Sequence, residues 1–140
     1  GNYVENSYNS PDSVNRIDWN VLSEEVYQKN LAYYKGLIQI RKKYASLRYM
    51  TADEVNQHVE FIKPQQENVI VMHVEDSKKQ EELLCIFNPN REASEVVIPE
   101  DNWNILVQEG RAGIDILGTI EGGCVSVAPI SAMVLAKCDN

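Results

Sequence analysis

The chain has 140 residues, 44% of them apolar, and carries 21 Asp and Glu against 13 Lys and Arg, for a formal net charge of −8. This length sets one domain, or one domain with an extra arm, as the expectation, with enough apolar residues for a real core. The acidic balance disfavours nucleic acid, whose phosphates need a positive surface, and no apolar run approaches the roughly 20 residues that span a bilayer. Lysines run together only as Lys42-Lys43 and Lys78-Lys79, too short for a phosphate groove. The chain opens with Gly1 rather than Met, which points to processing or excision and leaves cellular location unread.

The first segment, Asn6-Ser7-Tyr8-Asn9-Ser10-Pro11-Asp12 followed by Val14-Asn15-Arg16-Ile17-Asp18-Trp19, is crowded with amides, carboxylates, hydroxyls and aromatics and has no helix or strand period. Such groups can bond to sugar hydroxyls beside an aromatic platform. They also build turns and helix caps in any polypeptide, which is the plainer reading.

Residues 23 to about 45 read as one long helix. Ser23 is the expected cap, Glu24 and Glu25 suit the positive end of the dipole, and Lys42 and Lys43 suit the negative end. Tyr27, Leu31, Tyr34 and Ile38 recur at helical spacing, and Val26, Tyr33, Leu37 and Ile40 widen the stripe. A stripe that broad predicts contact on more than one side, with Gly36 allowing close approach. Thr51-Ala52-Asp53-Glu54 then fits a capping box, opening a short helix that ends near His58.

After it the period changes to strands. Val59–Ile62, Val69–Val74, Glu82–Phe87, Ser94–Ile98, Trp103–Gln108, Ile114–Leu117, Cys124–Val127 and Ala132–Lys137 are the expected series. Turns are expected between them, including Pro99-Glu100-Asp101 and Glu121-Gly122-Gly123. Short strands without intervening helices predict a mainly β chain, an antiparallel sandwich with a helical arm before it. The boundary is expected between Ala45 and Tyr49, dividing an arm, 1–46, from a sandwich, 47–140.

Little in the chain carries chemistry. Cys85 lies in an apolar run and reads as a small buried hydrophobe, while Cys124 and Cys138 could pair only if their strands are adjacent. His58 and His73 have no Cys or His partner at a ligand spacing, so no metal or cofactor is expected. Asp12 and Asp18 have no scaffold to hold them as a glycoside-cleaving pair, and the glycines at 118–123 lack the helix that a phosphate loop requires.

The segment 6–19 resembles the stretch that follows the last barrel strand in type I pullulanases, of the alpha-amylase clan, glycoside hydrolase family 13. Tyr33-Tyr34-Lys35-Gly36-Leu37-Ile38-Gln39-Ile40-Arg41-Lys42 looks like that family's final barrel helix. Phe87-Asn88-Pro89-Asn90-Arg91-Glu92 and Val127-Ala128-Pro129-Ile130-Ser131-Ala132-Met133-Val134-Leu135 resemble a strand and turn and the closing strand of its trailing β-sandwich. The likeness runs the length of the chain in the family's order.

The resemblance implies the C-terminal part of a starch-debranching enzyme. Residues 1–46 would be loop eight and the last helix of the (β/α)8 barrel, and residues 47–140 the sandwich. Such an enzyme hydrolyses α-1,6-glucosidic linkages in pullulan, glycogen, amylopectin and limit dextrins with retention. The family's catalytic carboxylates come from earlier strands, so no catalytic residue is assigned and the isolated chain is expected to be inactive. By loop position, Asn6, Tyr8, Asn9 and Asp12 would face sugar, with Asn15, Asp18 and Trp19 as loop anchors. The implied partners are the missing barrel and an α-glucan. Truncation would leave the 23–45 helix free to self-associate. Two other readings stay open: a starch-binding module using Trp103 and Tyr49 as stacking surfaces, and a purely structural domain.

Overall fold

A computed structural model describes residues 6–138. In chain order it contains α1 (Asp12–Asn15), a 3-10 turn (Trp19–Ser23), α2 (Glu25–Lys43), a second 3-10 turn (Ala45–Arg48) and α3 (Ala52–His58). Seven strands follow: β1 (Val59–Ile62), β2 (Ile70–Asp76), β3 (Glu81–Asn88), β4 (Ser94–Gln108), β5 (Arg111–Ala112), β6 (Gly118–Val127) and β7 (Ser131–Lys137). All pairings are antiparallel, in the order β1-β2-β3-β7-β4-β5, with β6 on β4.

The expected turns at 99–101 and 121–123 lie inside long strands instead. Ile98 pairs with Gly123 and Asn102 with Glu121, so Pro99, Glu100 and Asp101 bulge opposite Gly122. Proline has no N–H for a ladder and suits such a bulge. A Cβ on Gly122 would fall 2.0 Å from the Pro99 carbonyl oxygen, so the turn-forming residues of both strands meet in one bend. Before the bend, Ser94–Ile98 pair with β6 alone; after it, Trp103–Ile105 pair with both β6 and β7, and Val107 with β7 and β5. The result is a flap whose Val96, Ile98, Val125 and Val127 pack with Val71, Leu84, Ile86, Met133 and Leu135 of the main sheet. That is the sandwich interior, and Trp103 is fully buried in it, its indole N–H donating to the Pro99 carbonyl at 3.1 Å.

The opposite face of the main sheet is covered as well. Val74, Leu83, Cys85, Leu106, Val107, Val134 and Ala136 cluster with Ile40 of α2, and Tyr33, Leu37, Tyr44 and Leu47 pack onto them. Burial on both faces explains the continuous buried runs Leu83–Ile86 and Met133–Ala136, which alternation alone would not give. A register shift between Ile105 and Val107 places Leu106 and Val107 in this same cluster.

Two local expectations change. Ile114–Leu117 forms no strand; the short β5 precedes it, and Leu117 N–H donates instead to the Ile105 carbonyl. Ser23 does not cap the long helix. It closes the preceding 3-10 turn through a hydroxyl bond to the Asn20 carbonyl, and α2 starts at Glu25 without a side-chain cap. The cause is Asp18, whose carboxylate takes the Asn20 amide at 3.0 Å and starts a turn earlier. The capping box at Thr51 and Glu54 forms in full.

Candidate functional site

The polar segment 6–19 folds as a small exposed loop leading into α1. Asn15 is its internal tie: its amide donates to the Ser7 carbonyl at 2.7 Å and to the Ser10 carbonyl at 3.1 Å. The Asn6 side-chain oxygen accepts the Tyr8 N–H at 3.3 Å. The Tyr8 ring is 95% exposed, Asn9 and Asp12 are also exposed, and Asp12 stands in the first turn of α1. The loop thus brings Asn6 and Tyr8 together by a backbone contact and leaves the side chains of Tyr8, Asn9 and Asp12 open to solvent. Trp19 is 70% exposed at the head of the 3-10 turn that Asp18 caps.

Helix α2 carries two apolar faces. At 100° per residue, Tyr33, Leu37, Ile40 and Tyr44 fall together and meet the sheet. Tyr27, Leu31, Tyr34 and Ile38 fall together on a flank roughly 120° away, and all four are exposed. Gln28, Lys35, Gln39 and Lys42 make a third face, polar and solvated. A helix on a protein surface needs one apolar stripe; this one presents a second that stays largely exposed among the described residues.

One carboxylate organises the junction between helix and sheet. Asp76 is buried at the end of β2, accepts the Tyr49 hydroxyl at 2.9 Å and pairs with Lys79. The Lys79 ammonium, with help from the Tyr49 hydroxyl, holds the Asp76 carboxyl far below the usual range despite burial. Burial first, then the Asp76 bond, pushes the Tyr49 phenol well above its ordinary value. At the far end of the sandwich interior a polar row crosses five strands. Glu60 and Glu82 flank His73 at 3.2 and 3.1 Å, and Lys137 joins Glu82 at 2.9 Å to Asp101 at 2.6 Å. Hydrogen bonds to Asp101 and Glu82 raise the Lys137 ammonium well above the ordinary lysine value.

Both histidines therefore sit in structural networks: His58 bonds the Glu75 carbonyl at 2.8 Å and stacks on Tyr49. Among the described residues no cluster of His, Cys, Asp and Glu could hold a metal ion. Cys85, Cys124 and Cys138 are free thiols. No helix of the described residues is long and apolar enough to cross a membrane. The starch-binding reading loses both its aromatics: Trp103 is core, and the Tyr49 ring is engaged by His58 at 5.2 Å and by Lys79 at 4.6 Å.

Sequence reasoning missed the role of Asn88. It is buried, and its amide donates to the carbonyls of Glu92, Val127 and Ala128, while its oxygen accepts from Asn90 N–H and the Ser94 hydroxyl. The Asn-Pro-Asn run was legible as a turn, but not as the hub that joins β3, β4 and β6.

Comparison with known proteins agrees with this architecture. A family model described as the pullulanase all-beta domain matches residues 55–111. The chain is 29% identical over 101 residues to a pullulanase of Bacillus subtilis (strain 168), covering 70% of this chain and 14% of that protein. The solved pullulanase of Bacillus acidopullulyticus superposes with a TM-score of 0.86 at 26% identity, over 96% of this chain and 16% of its own. A pullulanase of Anoxybacillus sp. LM18-11, solved with maltotriose, gives 0.80 at 28% identity, over 96% and 18%. The chain thus spans less than a fifth of each of these three relatives. With its two-layered antiparallel sheet behind a long helix, the chain is similar along nearly its whole length to one part of these pullulanases, the part that includes their all-beta domain.

Proposed function

We propose that this chain is the C-terminal part of a debranching enzyme that hydrolyses α-1,6-glucosidic linkages in pullulan, glycogen, amylopectin and limit dextrins. In retaining hydrolysis one carboxylate attacks the sugar carbon, another protonates the leaving oxygen, and water then releases the covalent intermediate. None of these groups is assigned to this chain. Its own work is support: residues 1–46 complete the barrel, and residues 47–140 brace it from behind.

The observation that carries this reading is the second apolar face of α2. Tyr27, Leu31, Tyr34 and Ile38 stand exposed although the same helix is seated on the sheet by its other face. A barrel wall against that flank would bury them and leave Gln28, Lys35, Gln39 and Lys42 in water. The loop bearing Asn6, Tyr8, Asn9 and Asp12 would then lie at the rim where barrel active sites form, with Asn15, Asp18 and Trp19 as its anchors. The solved relative that holds maltotriose supports a glucan as the ligand.

The test compares two lengths of protein. Leu31→Asp with Ile38→Asp should barely move the stability of the 140-residue chain, where both side chains are already wet. In a longer protein that includes the preceding polypeptide, the same pair should cost several kcal/mol through buried unpaired charge. The longer protein should release reducing ends from pullulan, and the 140-residue chain none. Equal effects of the aspartates in both lengths, or turnover by the short chain, would overturn the proposal.

A further inference from the structure

The connector between α2 and α3, residues 44–51, is tied to α2 by the Arg41 bond to the Leu47 carbonyl and the Arg48 bond to the Lys42 carbonyl, and to the sheet by one hairpin. Glu81, the first residue of β3, accepts the Ala45 N–H at 3.0 Å on one carboxylate oxygen and the Ser46 N–H at 2.7 Å on the other. These are among the leading amides of the 3-10 turn, which has no side-chain cap of its own. At the other end of the connector Asp76, the last residue of β2, accepts the Tyr49 hydroxyl. The same Asp76 carboxylate accepts the backbone N–H groups of Lys78 and Lys79, so it shapes the hairpin turn and grips the connector at once.

The connector does not rest there on packing alone. Ser46 is buried with its hydroxyl unpartnered, an arrangement that a free segment would relieve by moving into water. Bonds donated by backbone amides to carboxylates are strong enough to oppose that movement.

We propose that the β2–β3 hairpin is a strap that fixes the seat of α2 on the sheet, acting through Glu81 and Asp76 on the connector. The inference deepens the reading above, since α2 is the element assigned there to the barrel contact. A strap at the root of α2 would make the sheet and the helix's free face move as one body.

Amide hydrogen exchange on the 140-residue chain tests this without any activity assay. Glu81→Ala removes both acceptors, Glu81→Gln keeps one, and Asp76→Asn weakens the Tyr49 end. Expected is an acceleration of about tenfold or more for amides between Gly36 and Lys43 in Glu81→Ala, smaller in Glu81→Gln, with Leu84 and Leu135 at wild-type rates. Faster exchange confined to Ala45 and Ser46 would overturn the strap, because the carboxylate would then be a local cap. Equal acceleration at Leu84 and Leu135 would overturn it too, as a general loss of stability. If Asp76→Asn does not fold, the two Glu81 variants still decide. Reducing-end release by the longer protein tests the functional reading separately.

Discussion

Gly36 of α2 lies so close to Ala112 of β5 that a Cβ on Gly36 would sit 1.9 Å from the Ala112 carbonyl oxygen. The obstacle is backbone, which cannot swing aside like the end of a side chain. Gly36→Ala should therefore destabilise the chain by about 2 kcal/mol or more, although alanine alone would favour the helix by about 1 kcal/mol. Urea unfolding measures the balance. A more stable variant would mean that α2 is not pressed on β5 as described.

Asn88→Ala should be more damaging, at about 3 kcal/mol or more, because it takes a donor from the buried carbonyl of Val127 and the only acceptor from the buried hydroxyl of Ser94. Asn88→Asp should not rescue it, since a carboxylate cannot donate to three carbonyls. Thermal unfolding of both variants checks this, and a mild loss in either would remove Asn88 as the hub.

Ser46→Ala should go the other way. The hydroxyl is buried without a partner, so its removal should leave stability unchanged or raise it by up to ~1 kcal/mol. A clear loss in urea would reveal a bond that the hydroxyl makes.

Acid should weaken the fold. The carboxyls of Asp76 and Asp101 are held below their usual range by Lys79 and Lys137, that of Glu54 by the Thr51 hydroxyl, and that of Glu95 by the Ser126 hydroxyl. A depressed carboxyl stabilises the folded state fully above the unfolded value of about 4, and this contribution is lost as the pH falls through the folded value. The unfolding temperature should drop steadily below pH 4, and the drop should be smaller in Asp101→Asn. For Lys137 the sign reverses: its raised value contributes below the ordinary lysine range near 10.4 and is lost at higher pH.

Thiol labelling should separate the cysteines. Burial pushes the Cys85 thiol up to about 11, so it should stay unreactive at neutral pH until the chain unfolds. Cys124 is exposed and should label first, slowly, because its bond to Glu95 also raises its value. Rapid labelling of Cys85 in the folded chain would contradict its place in the sheet.

The sequence alone determined which segments are helix and which are strand, wherever one residue's neighbours decide its conformation. The capping box at Thr51, the apolar rows of α2 and the β-branched and aromatic runs of the sheet all lie within a few positions of each other. The tertiary structure decided what depends on residues far apart in the chain. Proline and glycine at 99 and 122 read alike as turns, and only their pairing makes them one bulge inside two long strands. The double burial of Leu83–Ile86 needs α2 on one face and the flap on the other, which no local period encodes. The family likeness was legible in four short motifs, yet the loop residues Asn6, Tyr8, Asn9 and Asp12 stand exposed and make no site by themselves. A sugar site needs walls on several sides. Here the loop offers side chains on one side, and the remaining walls are not formed by the described residues.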